Sequence, residues 1–292
     1  MDTVAELSRD EILAILTREV ELLAAEGETA LAISSDAIAR LKNFRGDTDF
    51  AHDEDRRSGQ ATKRTRDKLC AAENCIPPTP PFSLADGTKE ERWNELRDIV
   101  LGCAECKKHL KPGKVIVFGA GNLNADIFFC GEAPGAEEEE CGVPFVGRAG
   151  KLLDKVIEAM GLQRSNVYVG NIMNWRPEMD TPFGNRPPTQ EEMNFCLPYL
   201  RAQVEIVSPK VIVALGATAA NGLLGYDETR RMADVRGRWH EFLSIPLMVT
   251  YHPSYLLRNT SNGAKRLLWQ DMLLVMERLS MEISERQRNF FL

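Results

Sequence analysis

The chain has 292 residues, 43% of them hydrophobic and 7% aromatic, which suffices for one large domain or for one domain with extensions. Its net charge of −7 excludes a chain that is basic throughout, as many nucleic-acid-binding proteins are. No apolar run could span a membrane, and the acidic N-terminus does not resemble a signal peptide. The seven unevenly spaced cysteines indicate reduced thiols or metal ligands. We therefore expect a cytoplasmic protein without a membrane partner, and we expect it to be a monomer.

The first 89 residues differ in character from the rest of the chain. Residues 1–45 predict a helical extension, because apolar residues recur at helical spacing over 5–26 and a second short helix fits 35–44. Residues 46–89 predict a linker that is first charged and then rich in proline. A domain over 90–292 follows. A tether and a partner-docking helix both fit the N-terminal extension.

From residue 114 onward, short β-rich runs alternate with helical patterns. The runs are apolar on both faces, which predicts an α/β fold in which helices cover both sides of a mostly parallel sheet, giving three α/β/α layers. The predicted strands are KVIVFG (114–119), ADIFFCG (125–131), NVYVGNI (166–172), KVIVALG (210–216) and PLMVTYH (246–252). The predicted helices are Arg148–Met160, Thr189–Ile206, Ala217–Leu224 and Ala264–Leu279.

Three predicted strands end in residues that are unusual for a simple turn. The first strand runs into the GEAPG segment that begins at Gly131, the second ends near Asn171, and the third ends at His252. Ligands of parallel α/β folds bind beyond the carboxyl ends of the strands. The loop GEAPGAEEEECGVPFVGRAG over 131–150 contains seven Gly or Pro residues, which indicates that something approaches its backbone closely. It matches neither the Walker pattern nor GxGxxG, and its carboxylates would repel a nucleotide triphosphate. An ordinary tight loop remains the alternative.

The stretch HPSYLLR places a histidine at a strand end and two leucines and an arginine on the turn that follows. Residues 230–266 around it contain seven basic residues against two acidic ones, a local cluster that would attract phosphates. An exposed Leu256–Leu257–Arg258 turn suits a wedge that enters a base stack while the arginine holds phosphate. The alternatives are a structural role for His252 and scattered surface arginines.

Taken together, these motifs resemble the family 4 uracil-DNA glycosylases, which are repair enzymes that usually carry an iron–sulfur cluster. The resemblance runs from about Gly102 to Leu279 and does not cover residues 1–90. The motifs that carry it, in the family's order, are GEAPG with PFVGRAG, GNIMNWRP, GNRPPTQEE, RGRW and HPSYLLR. We expect uracil-containing DNA as the partner, with the base flipped into a pocket.

The resemblance implies a role for several residues of that pocket. Phe145 would stack on the base, with Gly131 and Ala133 contacting it from the loop. Asn171 would donate to uracil O4 and accept from N3–H, a pattern that cytosine reverses. His252 would donate to O2, where negative charge develops as the bond to the sugar breaks.

The motifs offer three candidates for the residue that positions the attacking water. Family 1 relatives use an aspartate at the position of Ala133, so Glu132 is the best remaining carboxylate, with Glu138 and Asn185 as further candidates. The other acidic residues of 137–140 are expected to be solvated at the surface. Leu256, Leu257, Arg258 and Ser254 are the expected DNA contacts.

Three cysteines match the family's cluster ligands: Cys103, Cys106 and Cys196. The fourth ligand is missing, since Trp175 occupies its position, whereas four thiolates are the norm for a [4Fe–4S] cluster. The sequence therefore leaves open whether a cluster is bound. Cys130 and Cys141 are poorly placed as substitutes, and the linker cysteines Cys70 and Cys75 have no assignable role.

We therefore predict a DNA glycosylase that hydrolyses the N-glycosidic bond of deoxyuridine, releases uracil and leaves an abasic site. One alternative is a non-catalytic uracil- or DNA-binding module, which Ala133 would explain. A second is a thiol or metal protein built on CAEC, which would leave Phe145, Asn171 and HPSYLLR unexplained.

Overall fold

The structure, a computed structural model, describes residues 76–178 and 185–292, and this part of the chain is built around a six-stranded sheet. The strand order is β1–β3–β2–β4–β6–β5. The strands are β1 Ala120–Gly121, β2 Ile127–Gly131, β3 Tyr168–Asn171, β4 Val211–Leu215, β5 Trp239–Phe242 and β6 Ile245–Thr250. The helices predicted over 5–26 and 35–44 lie outside the described residues, as do Cys70 and Cys75.

The four central strands β3, β2, β4 and β6 are parallel, whereas β1 and β5 pair antiparallel at the two edges. The prediction of a mostly parallel sheet is therefore confirmed. The prediction of a strand over 114–119 is wrong. The N–H groups of Val115 and Val117 donate at 2.9 and 2.8 Å to the carbonyls of Glu139 and Asn174, which lie outside the strands. Only the two residues that follow it pair with β3.

Helices flank the sheet on both sides. They are α1 Lys89–Gly102, α2 Ala104–Lys108, α3 Ala136–Cys141, α4 Arg148–Ala159, α5 Gln190–Val207, α6 Ala217–Leu224, α7 Met232–Val235, α8 Pro253–Arg258, α9 Asn262–Arg278 and α10 Glu285–Arg288. The four predicted helices are present as α4, α5, α6 and α9, with ends within two residues of the prediction. Within the described residues, no helix is both long enough and apolar enough to cross a membrane.

The core divides into two layers because alternate residues of each parallel strand face opposite sides of the sheet. In β2, Phe128 and Cys130 face the layer that contains α1 and α5, and Ile127 and Phe129 face the layer that contains α4 and α9. The same alternation holds in β4 and β6. The strands are thus buried on both faces, which explains their continuous apolar sequences.

Candidate active site at the carboxyl edge of the sheet

The carboxyl ends of the parallel strands meet at one edge of the sheet. Gly131, the last residue of β2, pairs in register with Asn171, the last residue of β3. On the other side, the carbonyl of Thr250 at the end of β6 accepts from the N–H of Gly216, just beyond β4, at 2.9 Å. His252 follows two residues after Thr250. The three strand ends with unusual chemistry therefore share one edge.

Gly131 lies in close contact with two of the predicted base-binding side chains. A Cβ at this position would lie 2.4 Å from Cζ of Phe145 and 2.5 Å from Oδ1 of Asn171, so only glycine leaves room for both. Asn171 is 6% exposed, and its Oδ1 has no hydrogen-bond partner among the described residues. A buried amide oxygen without a partner costs free energy unless a ligand supplies the donor.

The backbone around Phe145 is held in an unusual conformation. Phe145 has φ of 55°, in the left-handed region that few non-glycine residues adopt. A Cβ on Gly150 would lie only 1.9 Å from the carbonyl oxygen of Phe145. The glycine therefore allows the first turn of α4 to pack directly against this carbonyl. The carboxylate of Glu138 accepts from the N–H groups of Val146 and Gly147 at 3.0 and 2.9 Å. Glu138, which is buried, therefore fixes the loop that carries the Phe145 ring.

His252 lies beside Phe145, with ring centroids 5.7 Å apart. Its Nδ1 accepts from the N–H of Ser254 at 3.1 Å and lies 2.8 Å from that residue's Oγ. Since Nδ1 must carry the lone pair for this bond, the neutral ring has its proton on Nε2. Burial, with a smaller effect of Arg258, lowers the pKa of His252 to about 4, although the charge of Glu138 opposes this. The ring is thus a neutral Nε2–H donor near pH 7.

Glu132 lies directly after Gly131 and is half-buried. Its carboxylate hydrogen-bonds to Thr218 in the first turn of α6, and burial raises its pKa above the ordinary value. Sequence reasoning missed Thr218, since a threonine that begins a helix carries no distinctive signal. Ala133 packs against the core layer of α1 and α5, where an aspartate would be more costly to bury.

Asn185 is exposed, and its Oδ1 accepts from Nε of Arg176 at 2.8 Å. The same guanidinium pairs with the buried Glu139 at 2.9 Å. Arg176 therefore links the NWRP and GNRPP segments to α3. The expectation that the acidic residues beside Glu138 are solvated is wrong for Glu139, which is 4% exposed.

The expected DNA-contacting turn is a short helix, α8, that packs against α4. The expectation of an exposed leucine pair is wrong for Leu256, which is 5% exposed and belongs to the core layer of α4 and α9. Leu257 is half-buried and Arg258 is exposed. Ser254 binds the His252 ring, as described above.

Fewer basic side chains of residues 230–266 are free to bind DNA than the sequence suggests, because four of the seven have partners within the protein. Arg230 binds Asn221 and the carbonyl of Gly225, Arg231 pairs with Asp234, Arg236 pairs with Asp271, and Arg266 binds the carbonyls of Arg288 and Phe290. The remaining basic side chains, which have no partner within the described part of the chain, are Arg238, Arg258 and Lys265.

Asp271 of α9 is a buried carboxylate that sequence reasoning missed. It is 1% exposed and accepts from Arg236 at 2.6 Å and from the hydroxyl of Thr250 at 2.6 Å. Burial raises its pKa, although both hydrogen bonds oppose this. Asp271 therefore fastens the RGRW segment to the end of β6, next to His252. Nothing in the sequence around Asp271 distinguishes it from a surface residue of an amphipathic helix.

The three cysteines that resemble cluster ligands lie together. Cys103 accepts from the N–H of Cys106 at 3.5 Å, and the Cys106 thiol hydrogen-bonds to Cys196, which together with burial raises the pKa of Cys106. Trp175 is fully buried, however, and within residues 76–178 and 185–292 no group of three or more His, Cys, Asp or Glu residues could hold a metal ion. These residues do not fit a cluster held by four thiolates.

Comparison with known proteins agrees with this geometry. Residues 118–273 match the model of the uracil DNA glycosylase superfamily. The chain is 42% identical to the type-4 uracil-DNA glycosylase of Thermotoga maritima over 63% of this chain and 93% of that protein. It is 36% identical to the type-4 enzyme of Pyrobaculum aerophilum (56% and 84% covered) and 38% identical to that of Archaeoglobus fulgidus (54% and 79% covered).

Proposed function

The chain belongs to the type-4 uracil-DNA glycosylases of the uracil DNA glycosylase superfamily, and we propose that it excises uracil in the pocket bounded by Phe145, Asn171 and His252. The observation that carries this assignment is the buried, unpartnered Oδ1 of Asn171, which lies beside the Phe145 ring across Gly131. A flipped uracil that stacks on this ring would supply the missing donor through N3–H.

Asn171 reads the Watson–Crick edge of the base. Its Oδ1 accepts from N3–H of uracil and its Nδ2 donates to O4. Cytosine has an acceptor at N3 and a donor at C4, so both contacts would become repulsive in the same pose. A site that leaves buried polar groups unpaired rejects the wrong substrate by roughly 10⁴-fold. Base discrimination is therefore set by one amide at the end of β3.

His252 stabilises the departing base. As the bond between N1 and C1′ breaks, its electron pair moves into uracil and negative charge develops on O2. The neutral Nε2–H donates to that oxygen, a proposal supported by the Ser254 N–H bond to Nδ1 and by the pKa of about 4. Preorganised donors of this kind act most strongly in the transition state.

Glu132 is the carboxylate that orients the attacking water. The Thr218 hydroxyl anchors it and its raised pKa supports a role as proton acceptor. Water adds to C1′ of the sugar cation, and the proton it loses passes to the carboxylate. Glu138 is less suited to this step, since one of its oxygens accepts from two backbone N–H groups. Asn185 is likewise engaged by Arg176.

The DNA strand is held by the side chains that internal contacts leave free. Arg238, Arg258 and Lys265 supply positive charge for phosphates. Leu257, on the less buried side of α8, is the residue that enters the base stack, whereas Leu256 supports α8 from within the core.

The assignment is tested with a single-stranded oligonucleotide that contains one uracil and a matched strand that contains cytosine there. Full-length protein is incubated with each strand, free base is quantified, and the strands are cleaved with alkali. We expect release of uracil and alkali-labile product from the first strand alone. Folded protein that binds the uracil strand without releasing the base would make the pocket a recognition module and not an active site.

A further inference from the structure

We call the region around Cys103, Cys106 and Cys196 the cysteine corner. It contains a feature that the proposed reaction does not use. Trp175, in the loop after β3, is 0% exposed and occupies the position where the resemblance places a fourth thiolate. Its ring stacks on His109 with centroids 4.8 Å apart and planes 9° apart. On another side it meets the edge of Phe195, which precedes Cys196, at 5.8 Å. An indole therefore fills the interior of this corner.

The rings continue beyond Trp175 as a column through four segments of the chain. Phe195 meets Tyr199 at 6.1 Å, and Tyr199 stacks on Phe82 at 5.3 Å. The Tyr199 hydroxyl also donates to Sγ of Cys103 at 3.7 Å. The column thus joins the segment that carries Cys103 and Cys106 to the NWRP loop, to α5 and to the segment before α1.

Three of these four segments are the ones that a cluster would cross-link, since its ligands would come from residues 103–106, position 175 and Cys196. A [4Fe–4S] cluster is normally held by four thiolates and needs a space of its own. This corner offers three thiols, and a fully buried indole stands at the sequence position of the fourth ligand. Aromatic pairs bury large apolar areas and gain further stabilisation from their edge-to-face or offset-stacked geometry. Ring packing can therefore hold the corner together without metal.

We propose that this glycosylase binds no iron–sulfur cluster, and that Trp175, stacked on His109 and packed against the edge of Phe195, takes over its structural role. The corner then lacks a cluster because Trp175 replaces the fourth thiolate, and a single substitution of Trp175 by cysteine restores the site. The proposal is independent of the assignment of the pocket, because no residue of the pocket belongs to the corner.

The test compares wild-type protein, Trp175→Cys and the matched control Trp175→Ser, each purified without oxygen and reconstituted with ferrous iron and sulfide. Iron and acid-labile sulfide per chain are measured together with the visible absorbance. We expect wild type and Trp175→Ser to hold no cluster, and Trp175→Cys to gain about four irons per chain with the broad absorbance of a thiolate-bound cluster. We also expect wild type from iron-depleted cells to melt at the same temperature as wild type from iron-replete cells.

Wild-type protein that holds stoichiometric iron and sulfide would overturn the proposal. The same measurement on the double variant Cys70→Ser, Cys75→Ser would then reveal whether the linker supplies a substitute ligand. Folded Trp175→Cys that gains no cluster would refute the claim that Trp175 alone closes the site. If Trp175→Cys does not fold, the iron content of wild type still decides the first claim.

Discussion

Replacing His252 with alanine removes the donor to uracil O2 and tests the chemical step. With a pKa of about 4, only about one molecule in a thousand carries a charged imidazole at pH 7, so the rate depends on a neutral donor. Loss of one such donor costs about 10²–10³ in kcat, roughly 3–4 kcal/mol. DNA affinity should change little, because the contact strengthens only as the bond breaks.

The substitution also removes a helix cap, since Nδ1 of His252 accepts from the N–H of Ser254 at the start of α8. Loss of such a cap costs about 1 kcal/mol of stability. His252→Asn is the matched control, because asparagine caps helices well but is too short to place a donor where Nε2 lies. We expect this variant to recover the melting temperature and not the rate.

The assay is single-turnover uracil release from single-stranded DNA with enzyme in excess, measured from pH 4 to 9. The wild-type profile should show no inflection from His252 near pH 6.5. Because folding depresses this pKa, the stability contribution of the neutral ring is complete above about pH 6.5 and is lost as the pH falls towards 4. A His252→Ala rate within a few-fold of wild type, or full activity of His252→Asn, would refute the assignment of this donor.

Four further substitutions test other parts of the account. Asn171→Asp should lower uracil excision steeply and shift the uracil-to-cytosine ratio by orders of magnitude, since a carboxylate accepts from the cytosine amine but cannot donate to O4; an unchanged ratio would mean that another group reads the base. Asp271→Asn should lower the free energy of unfolding by about 3 kcal/mol, because Arg236 loses its buried partner; a loss under about 1 kcal/mol in urea would contradict this. Leu256→Ala should lower the free energy of unfolding by about 3 kcal/mol, whereas Leu257→Ala should weaken DNA binding. Thermal melting and DNA-binding assays measure the two effects. The reverse pattern would exchange the roles of the two leucines.

The sheet and the strand-end residues could be predicted because local patterns encode them. Runs that are apolar on both faces indicate parallel strands, and their ends place Gly131, Asn171 and His252 at one edge. The run KVIVFG has the same pattern but hydrogen-bonds to loops, because its partners are set by the tertiary fold. The edge strand Trp239–Phe242 was missed since it is short and mixed in polarity.

Side-chain environments were harder to predict than positions. Leu256 and Leu257 are adjacent and identical, and only the packing of α8 on α4 buries one of them. Glu139 belongs to a run that reads as a solvated surface, yet it is buried and pairs with Arg176, 37 residues further along the chain. Long-range pairings of this kind leave no mark on the sequence near either residue.

A crystal structure of the full chain with uracil bound tests the central claim most directly. The account predicts the uracil ring stacked on Phe145, N3 within about 3 Å of Asn171 Oδ1, and O2 at hydrogen-bonding distance from His252 Nε2. Uracil bound elsewhere, or in this pocket with N3–H paired to any other group, would contradict it.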